Sequence, residues 1–385
     1  MSKTIYLDNA ATTKPTQQVI DDFVYASQNY WYNPSSIYQK AIDTRALLEH
    51  AREQCAKSIN AEPEEIIFTS GGSEGNSMVI KGIMSYYDDP VFFYTDLEHP
   101  SVINNLNNLR MYNRIKINVG KDGMIDPLEL DNVMTLIGEG YNGYNFVYVQ
   151  MANNEIGTIQ DIKSISEVAH RHHAKVIVDA VQAYMHIPID VEKLGIDIMI
   201  TSGHKFGALK GTGFVYIKKG NGLKINPLIE GGHQEIDMRA GTENVAGIYA
   251  MGNRVEYLSI HMESEHVRKI SKKLESKIYE GCRDICNIHS NGAEDSKWRL
   301  PNNISITFHG KSATNIVTLL SGYNICVSAG SACTSGEPTP SRVLKAIGLS
   351  DEEAKSTIRI TVSTDITDEN IDYFVETLIQ ILNII

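Results

Sequence analysis

Short apolar runs alternate with amphipathic stretches through roughly the first two thirds of the chain. Apolar residues recur at helical spacing in the segments between the runs, and the runs themselves have no polar face. Strands of this kind are typical of a parallel sheet that helices cover on both sides. The pattern predicts an α/β domain with a mostly parallel sheet. The clearest runs are Ile66-Ile67-Phe68, Phe146-Val147-Tyr148-Val149 and Val176-Ile177-Val178.

The pattern changes near residue 245. A long helical pattern is predicted to run to about residue 280, and short strands then alternate with further helices. This mixture of short strands and helices favours a smaller α+β domain, with the domain boundary inside the long helical stretch. The predicted strands are 303–308, 325–328 and 358–362, and the predicted domains are 15–255 for the large domain and 1–14 with 256–385 for the small one.

Composition indicates a globular protein with an ample core. Of the 385 residues, 42% are hydrophobic and 21% are charged. The net charge of −12 argues against a nucleic-acid surface, and no apolar run approaches the roughly 18 residues of a membrane span. Five cysteines without a metal-ligand spacing predict free thiols in a reducing compartment and no metal site. With polar residues leading into the first strand, this predicts a cytoplasmic protein.

The polar residues that could carry chemistry follow the predicted strands. Ligands of open α/β sheets bind beyond the carboxyl ends of the strands. A lysine in such a place is a nucleophile when a buried pocket lowers its pKa, although a solvated loop lysine is the simpler interpretation. The strand-end residues are Lys205 in a Ser-Gly-His-Lys turn, Asp179 with Gln182 after it, His99, and Asn154 with Glu155.

Gly71-Gly72-Ser73 follows a strand and opens a helix. Free backbone N–H groups at such a point can bind a phosphate, and a plain turn capped by Ser73 is the alternative. A phosphate site, a buried acid, an imidazole and a lysine at separate strand ends are together what pyridoxal phosphate requires. The lysine binds its aldehyde carbon, and the acid keeps its pyridine nitrogen protonated.

Two residues of the predicted small domain add to this picture. Cys333 lies among Gly, Ser and Ala residues, which indicates an accessible thiol rather than a buried structural one. Arg359 interrupts the apolar strand 357–361 and needs an anionic partner. That partner is either a substrate carboxylate or a structural acid.

Nine short motifs in order across the chain resemble those of the cysteine desulfurases, the NifS/IscS-like branch of the class V aminotransferase family. Each motif is weak by itself, and their order makes the resemblance specific. They are 6–13 (Tyr-Leu-Asp-Asn-Ala-Ala-Thr-Thr), 33–36 (Asn-Pro-Ser-Ser), 68–74, 98–99, 153–157, 179–182 (Asp-Ala-Val-Gln), 202–205, 239–244 and 330–333 (Gly-Ser-Ala-Cys).

The resemblance implies a pyridoxal-phosphate-dependent transferase fold with a mostly parallel seven-stranded sheet, and a role for each matching residue. Lys205 would bind the cofactor covalently, His99 would stack on its ring and move protons, and Cys333 would take the substrate sulfur. Asn33 and Arg359 would bind the substrate carboxylate. The other implied cofactor contacts are Asp179 at the pyridine nitrogen, Asn154 and Gln182 near the ring oxygen, Gly72, Ser73, Ser202 and His204 at the phosphate, and Thr242 at the phosphate of a partner subunit.

The implied reaction converts L-cysteine to L-alanine and leaves a persulfide on Cys333. The implied partners are a second copy of the chain in a homodimer and a sulfur-acceptor protein that serves iron–sulfur cluster assembly or tRNA thiolation. Two alternatives stay open at this point. One is another class V enzyme such as a selenocysteine lyase, and the other is a non-catalytic sulfur-carrier scaffold on the same fold.

Overall fold

A computed structural model of the protein describes residues 4–138, 143–330 and 339–385. Within these residues, seven strands form a central sheet in the order β2-β8-β7-β6-β5-β3-β4. Only β8 runs antiparallel to its neighbours, so the predicted mostly parallel sheet is confirmed. The strands are β2 (Ile66–Thr69), β3 (Val91–Thr95), β4 (Arg114–Ile117), β5 (Asn145–Gln150), β6 (Lys175–Asp179), β7 (Ile198–Ile200) and β8 (Gly213–Ile217).

Helices cover both faces of this sheet. Successive residues of a strand point to opposite faces, so Phe92 packs in one apolar cluster while Phe93 packs in another. This two-sided burial is the reason that the strands read as unbroken apolar runs. The helices of this part are α1 (Gln17–Asn29), α2 (Gln39–Lys57), α3 (Gly72–Tyr86), α4 (Pro100–Leu106), α5 (Pro127–Gly138), α6 (Ile162–Arg171), α7 (Val191–Leu194) and α8 (Val245–Ile260).

A second, antiparallel sheet has the order β12-β13-β10-β9, and helices pack against it. Ile5 and Leu7, near the start of the chain, belong to the apolar core of this part. The division at residue 256 stays a prediction. The elements are β9 (Ile288–Ser290), β10 (Asn303–Phe308), β12 (Ser328–Ala329), β13 (Thr357–Thr361), α9 (Ser264–Cys282), α10 (Ala313–Gly322), α11 (Arg342–Ala346), α12 (Asp351–Lys355) and α13 (Asp368–Ile384).

Two sequence predictions were wrong in detail. The single long helix is two helices, because the backbone of His261 leaves the helical region between α8 and α9. The predicted strand 325–328 is divided between two sheets. Cys326 of β11 (Ile325–Cys326) pairs with Tyr6 of β1 (Ile5–Tyr6), whereas Ser328 pairs with Arg359 in β13. Apolar periodicity continues across both breaks, so it could not reveal them.

No helix in the described ranges is both long enough and apolar enough to cross a membrane.

Candidate active site

The candidate site lies at the carboxyl ends of four neighbouring parallel strands. In the sheet, β3, β5, β6 and β7 are adjacent. The loop after each strand, or its last residue, supplies one of the predicted site residues. The sheet therefore brings together side chains that are far apart in the sequence, namely His99 after β3, Asn154 after β5, Asp179 at the end of β6 and Lys205 after β7.

Lys205 lies in a single 3₁₀ turn, Gly203–Lys205, directly after β7. Its Nζ donates hydrogen bonds to the backbone oxygens of Ala10 at 2.6 Å and Ala11 at 2.9 Å. Burial, followed by the positive charge of Arg359, lowers the pKa of the Lys205 amine to about 8. The amine is therefore much closer to its nucleophilic, neutral form at physiological pH than an exposed lysine.

The loop that contains Ala10 and Ala11 also holds the lysine turn in place. Thr13 Oγ1 donates to the backbone oxygen of His204 at 2.8 Å and accepts from the backbone N–H of Gly207 at 2.7 Å. Gln182 Nε2 donates to Ala10 O at 2.8 Å, so Gln182 supports the same loop. This loop is part of motif 6–13, one of the nine on which the family resemblance rests, but its contact with the lysine turn was not predicted.

Asp179 is buried at the end of β6 and has two hydrogen-bond donors. Asn76 Nδ2 donates to Asp179 Oδ2 at 2.9 Å, and the backbone N–H of Val181 donates to Oδ1 at 3.0 Å. Hydrogen bonds of this kind stabilise a carboxylate that water does not reach. Asn76, one turn into α3, was missed because a polar residue inside a helix gives no signal by itself.

His99 is the N-cap of α4, and its ring nitrogen Nδ1 accepts from the backbone N–H of Ser101 at 3.1 Å. The hydroxyl of Ser101 lies 2.8 Å from the same nitrogen and accepts from Asn76 Nδ2. These donors assign Nδ1 as the acceptor and place the ring proton on Nε2. Partial burial lowers the pKa of His99 below its usual value. The charge of Asp179 opposes this effect, while those of Lys205 and Arg342 reinforce it.

The glycine turn before α3 packs directly against the lysine turn. Gly71 has φ of 141°, a conformation that favours glycine, and a Cβ added there would lie 3.1 Å from Ser202 Oγ. A Cβ added at Gly72 would lie only 2.7 Å from Val181 Cγ2. The glycine turn therefore lies against Ser202, and together with the free N–H groups at the start of α3 this forms a cradle that can bind an anion.

His204 completes the lysine turn. Its Nδ1 lies 3.1 Å from Thr12 Oγ1, and burial, followed by the charges of Lys205 and Lys210, lowers its pKa to about 4. The ring is therefore neutral near pH 7. The anion cradle, the buried Asp179 and the Lys205 amine match in their chemistry the phosphate, ring nitrogen and aldehyde of pyridoxal phosphate, so the residues present fit that cofactor.

Beside these residues is a cleft of about 180 Å³. Arg359 Nη1 donates at 3.1 Å to the backbone oxygen of Asn154, which lines this cleft. Arg342 also lines it and donates through Nε to Asp96 O at 2.9 Å and through Nη2 to Glu98 O. The lining residues include His99, Asn154, Glu155, Ser341 and Arg342.

Glu98 is a second buried acid that the sequence analysis did not single out. Its Oε1 accepts from Thr95 Oγ1 at 2.8 Å, and its Oε2 is buried with no hydrogen-bond partner among the described residues. Burial, helped by the negative charge of Asp179, raises the pKa of Glu98 to about 8. Its position next to His99 was the only sequence signal for it.

Two predicted site residues are not joined to this cluster by any contact among the described residues, and a third lies outside those residues. Asn33 is exposed and its Oδ1 accepts from the backbone N–H of Ser35 at 2.9 Å. Thr242 is exposed in the segment just before α8. Cys333 lies outside the described residues. Their roles stay predictions.

Comparison with known proteins identifies the family. A profile of the family Aminotransferase class-V matches residues 5–374. The chain is 36% identical over 386 aligned positions to cysteine desulfurase IscS of Dictyoglomus turgidum. The alignment covers 99% of this chain and 95% of that protein. The chain is also 36% identical to cysteine desulfurase IscS of Methanosarcina thermophila, covering 99% of this chain and 92% of that one.

Solved structures agree with the sequence comparison. A NifS-like protein superposes with a TM-score of 0.88 at 30% identity and covers all of both chains. A NifS-like protein from Rickettsia africae superposes with a TM-score of 0.85 at 31% identity, covering 98% of this chain and 99% of that one. The likeness therefore extends over both sheets and the loops between them.

Proposed function

This chain belongs to the class-V aminotransferase family, and from that premise we propose that it is a pyridoxal-phosphate-dependent cysteine desulfurase. The observation that carries the proposal is the convergence of Lys205, Asp179 and His99 at one sheet edge beside the Gly71–Ser202 cradle. The relatives at 36% identity over nearly the whole chain are named cysteine desulfurases, which favours this member of the family.

In this proposal residues of the described cluster would hold the cofactor. Lys205 would bind its aldehyde carbon, Asp179 would pair with its ring nitrogen, and His99 would stack on the ring. Asn154 and Gln182 would contact the ring oxygen, while Gly72, Ser73, Ser202 and His204 would bind its phosphate. The bound cofactor supplies an electron sink for the substrate α-carbon.

The residues of the chain then perform the proton and sulfur transfers. Arg359 and Asn33 bind the carboxylate of L-cysteine, and the Lys205 amine, with its lowered pKa, accepts the α-proton. The Cys333 thiolate attacks the substrate sulfur, so that an S–S bond forms as the C–S bond breaks. The carbon keeps the bonding electrons and is protonated, which yields L-alanine and a persulfide on Cys333.

We further infer that the enzyme is a homodimer in the cytoplasm and passes its persulfide sulfur to an acceptor protein for iron–sulfur cluster assembly or tRNA thiolation. Large apolar side chains near Asn33 are exposed, and Ile37 is 94% exposed. A partner subunit would cover them, and in such a dimer Thr242 would reach the phosphate of the partner subunit. The exposed group is Trp31, Ile37, Tyr38 and Ile42.

The test is product analysis with L-cysteine and a reductant. The purified chain with pyridoxal phosphate should release sulfide and L-alanine in equal amounts, and Cys333→Ala should release neither at a comparable rate. Cys286→Ala, which removes a different thiol, should retain activity. Full sulfide release by Cys333→Ala would exclude the persulfide role, and activity with selenocysteine but none with cysteine would identify a lyase instead.

A further inference from the structure

The guanidinium of Arg359 forms an ion pair with an acid of its own chain. Asp8 Oδ1 accepts from Arg359 Nη2 at 2.6 Å, and Arg359 Nη1 donates to Asn154 O. Arg359 Nε is buried and has no acceptor among the described residues. An arginine binds a carboxylate best through two parallel N–H donors, so Asp8 uses only part of what Arg359 offers.

The two partners differ in how easily they can separate. The Arg359 side chain is 11% exposed and lies within β13, whereas the Asp8 side chain is 21% exposed. The backbone of Asp8 is fixed, because its oxygen accepts from Tyr6 Oη and from the N–H of Ala11, both at 3.0 Å. A side-chain rotation alone would therefore move the Asp8 carboxylate into water and leave the guanidinium in place.

A buried cation left unpaired is costly, and an arriving carboxylate removes that cost. We propose that Asp8 occupies the carboxylate-binding edge of Arg359 in the free enzyme and that the carboxylate of the amino-acid substrate displaces it. Asp8 is thus a residue that determines substrate affinity. The inference rests on the proposed function in taking the ligand to be an α-amino acid whose carboxylate Arg359 binds.

A competing acid and an orienting acid give opposite results when neutralised. If Asp8 competes, Asp8→Asn frees the guanidinium and anions bind more tightly. If Asp8 only holds Arg359 in its rotamer, the same change loosens Arg359 and anions bind more weakly. The sign of the change in affinity therefore decides the matter.

The experiment titrates propionate, which has a carboxylate but neither amine nor sulfur, into the enzyme loaded with pyridoxal phosphate. Binding is followed by ligand-observed NMR. We expect Asp8→Asn to lower the dissociation constant by about tenfold, a step of about 1.4 kcal/mol. Asp8→Glu should stay near the unsubstituted chain, and the exposed control Asp284→Asn should not change binding.

Two outcomes would overturn the inference. The first is that Asp8→Asn binds propionate no more tightly than the unsubstituted chain. The second is that the gain in propionate affinity persists in the double variant Asp8→Asn/Arg359→Gln, because the gain must act through Arg359. If Asp8→Asn does not fold, Asp8→Ser is measured in its place.

In steady-state assays of Asp8→Asn, the KM for L-cysteine should fall without a rise in kcat. Propionate is not a desulfurase substrate, so its binding can be measured and interpreted even if the chain has no desulfurase activity.

Discussion

Asn76 Nδ2 donates to Asp179 Oδ2 at 2.9 Å, and Asn76 Oδ1 accepts from Tyr148 Oη at 2.8 Å. All three side chains are buried. The amide therefore fixes the orientation of the acid that is proposed to pair with the cofactor ring, and it is itself fixed by a tyrosine from the neighbouring strand. One hydrogen-bonded chain connects the core of the sheet to the site.

Replacing Asn76 with Ala should weaken both the fold and the cofactor site. The change leaves the buried Tyr148 hydroxyl and one Asp179 oxygen without partners, which should lower the free energy of unfolding by about 1–3 kcal/mol. The affinity of the apo chain for pyridoxal phosphate should fall as well. Urea unfolding and absorbance titration measure the two effects.

Asn105→Ala is the matched control for this prediction. Asn105 Nδ2 donates to Ser77 Oγ at 2.9 Å and to Ser101 O at 2.7 Å, in the same pair of helices, with no contact to Asp179. It should lose stability and keep its cofactor affinity. An equal loss of affinity in the two variants would contradict the role given to Asn76.

The rate at which the apo chain captures pyridoxal phosphate should depend on pH with an inflection near 8. The pKa of the Lys205 amine is lowered to about 8, first by burial and then by Arg359, and only the neutral amine attacks the aldehyde. Raising the pH through 8 therefore increases the reactive fraction, which levels off above it. Stopped-flow absorbance over pH 6–10 follows the reaction.

Arg359→Gln serves as the control for that profile. The positive charge of Arg359 lowers the pKa of Lys205, so its removal should move the inflection to higher pH. A rate that keeps rising about tenfold per pH unit up to pH 10 in the unsubstituted chain would show an ordinary lysine pKa instead.

Glu98 should make the protein less stable as the pH rises from about 5 to 8. Burial raises its pKa in the folded chain to about 8, so over this range the folded state holds a proton that the unfolded state has lost. The free energy of unfolding then falls with rising pH, at a limit of about 1.4 kcal/mol per pH unit from this one group.

Glu98→Gln cannot ionise and keeps nearly the same shape. Its free energy of unfolding, measured in urea at pH 5, 6, 7 and 8, should therefore rise relative to that of the unsubstituted chain as the pH increases. A difference between the two proteins that stays constant over these four conditions would mean that Glu98 titrates normally.

The buried ion pair of Arg52 and Glu235 should be a main support of the turn before α8. Arg52 Nη1 and Nη2 donate to the two Glu235 oxygens at 2.8 Å, and the backbone N–H of Phe68 donates to Oε2 at 2.7 Å. Glu235→Ala removes the buried acid that accepts from both Arg52 Nη atoms, leaves only the half-exposed Glu49 as an acidic partner, and should cost about 3–5 kcal/mol of unfolding free energy. Glu49→Ala, which removes the exposed partner of the same arginine, should cost about 0–1 kcal/mol in urea unfolding.

The local pattern of apolar residues was sufficient to predict where the strands lie along the chain and which residues stand at their ends. Parallel strands have their carboxyl ends at one edge of the sheet, so Asp179, His99, Asn154 and Lys205 could be grouped from their positions in the chain. The period of the apolar residues could not show the break at His261, because two consecutive helices that bury the same face continue one pattern.

The alternation of apolar runs and amphipathic stretches was enough to predict the fold class, and the ends of two of those runs were enough to identify Lys205 and Asp179. The contacts that hold these two side chains depend on tertiary packing. The contact of Asp8 with Arg359 spans 351 positions, and the contact of Asn76 with Asp179 joins a helix to a strand across the sheet. Such pairs depend on how whole elements pack, and packing is a long-range property that no local spacing records.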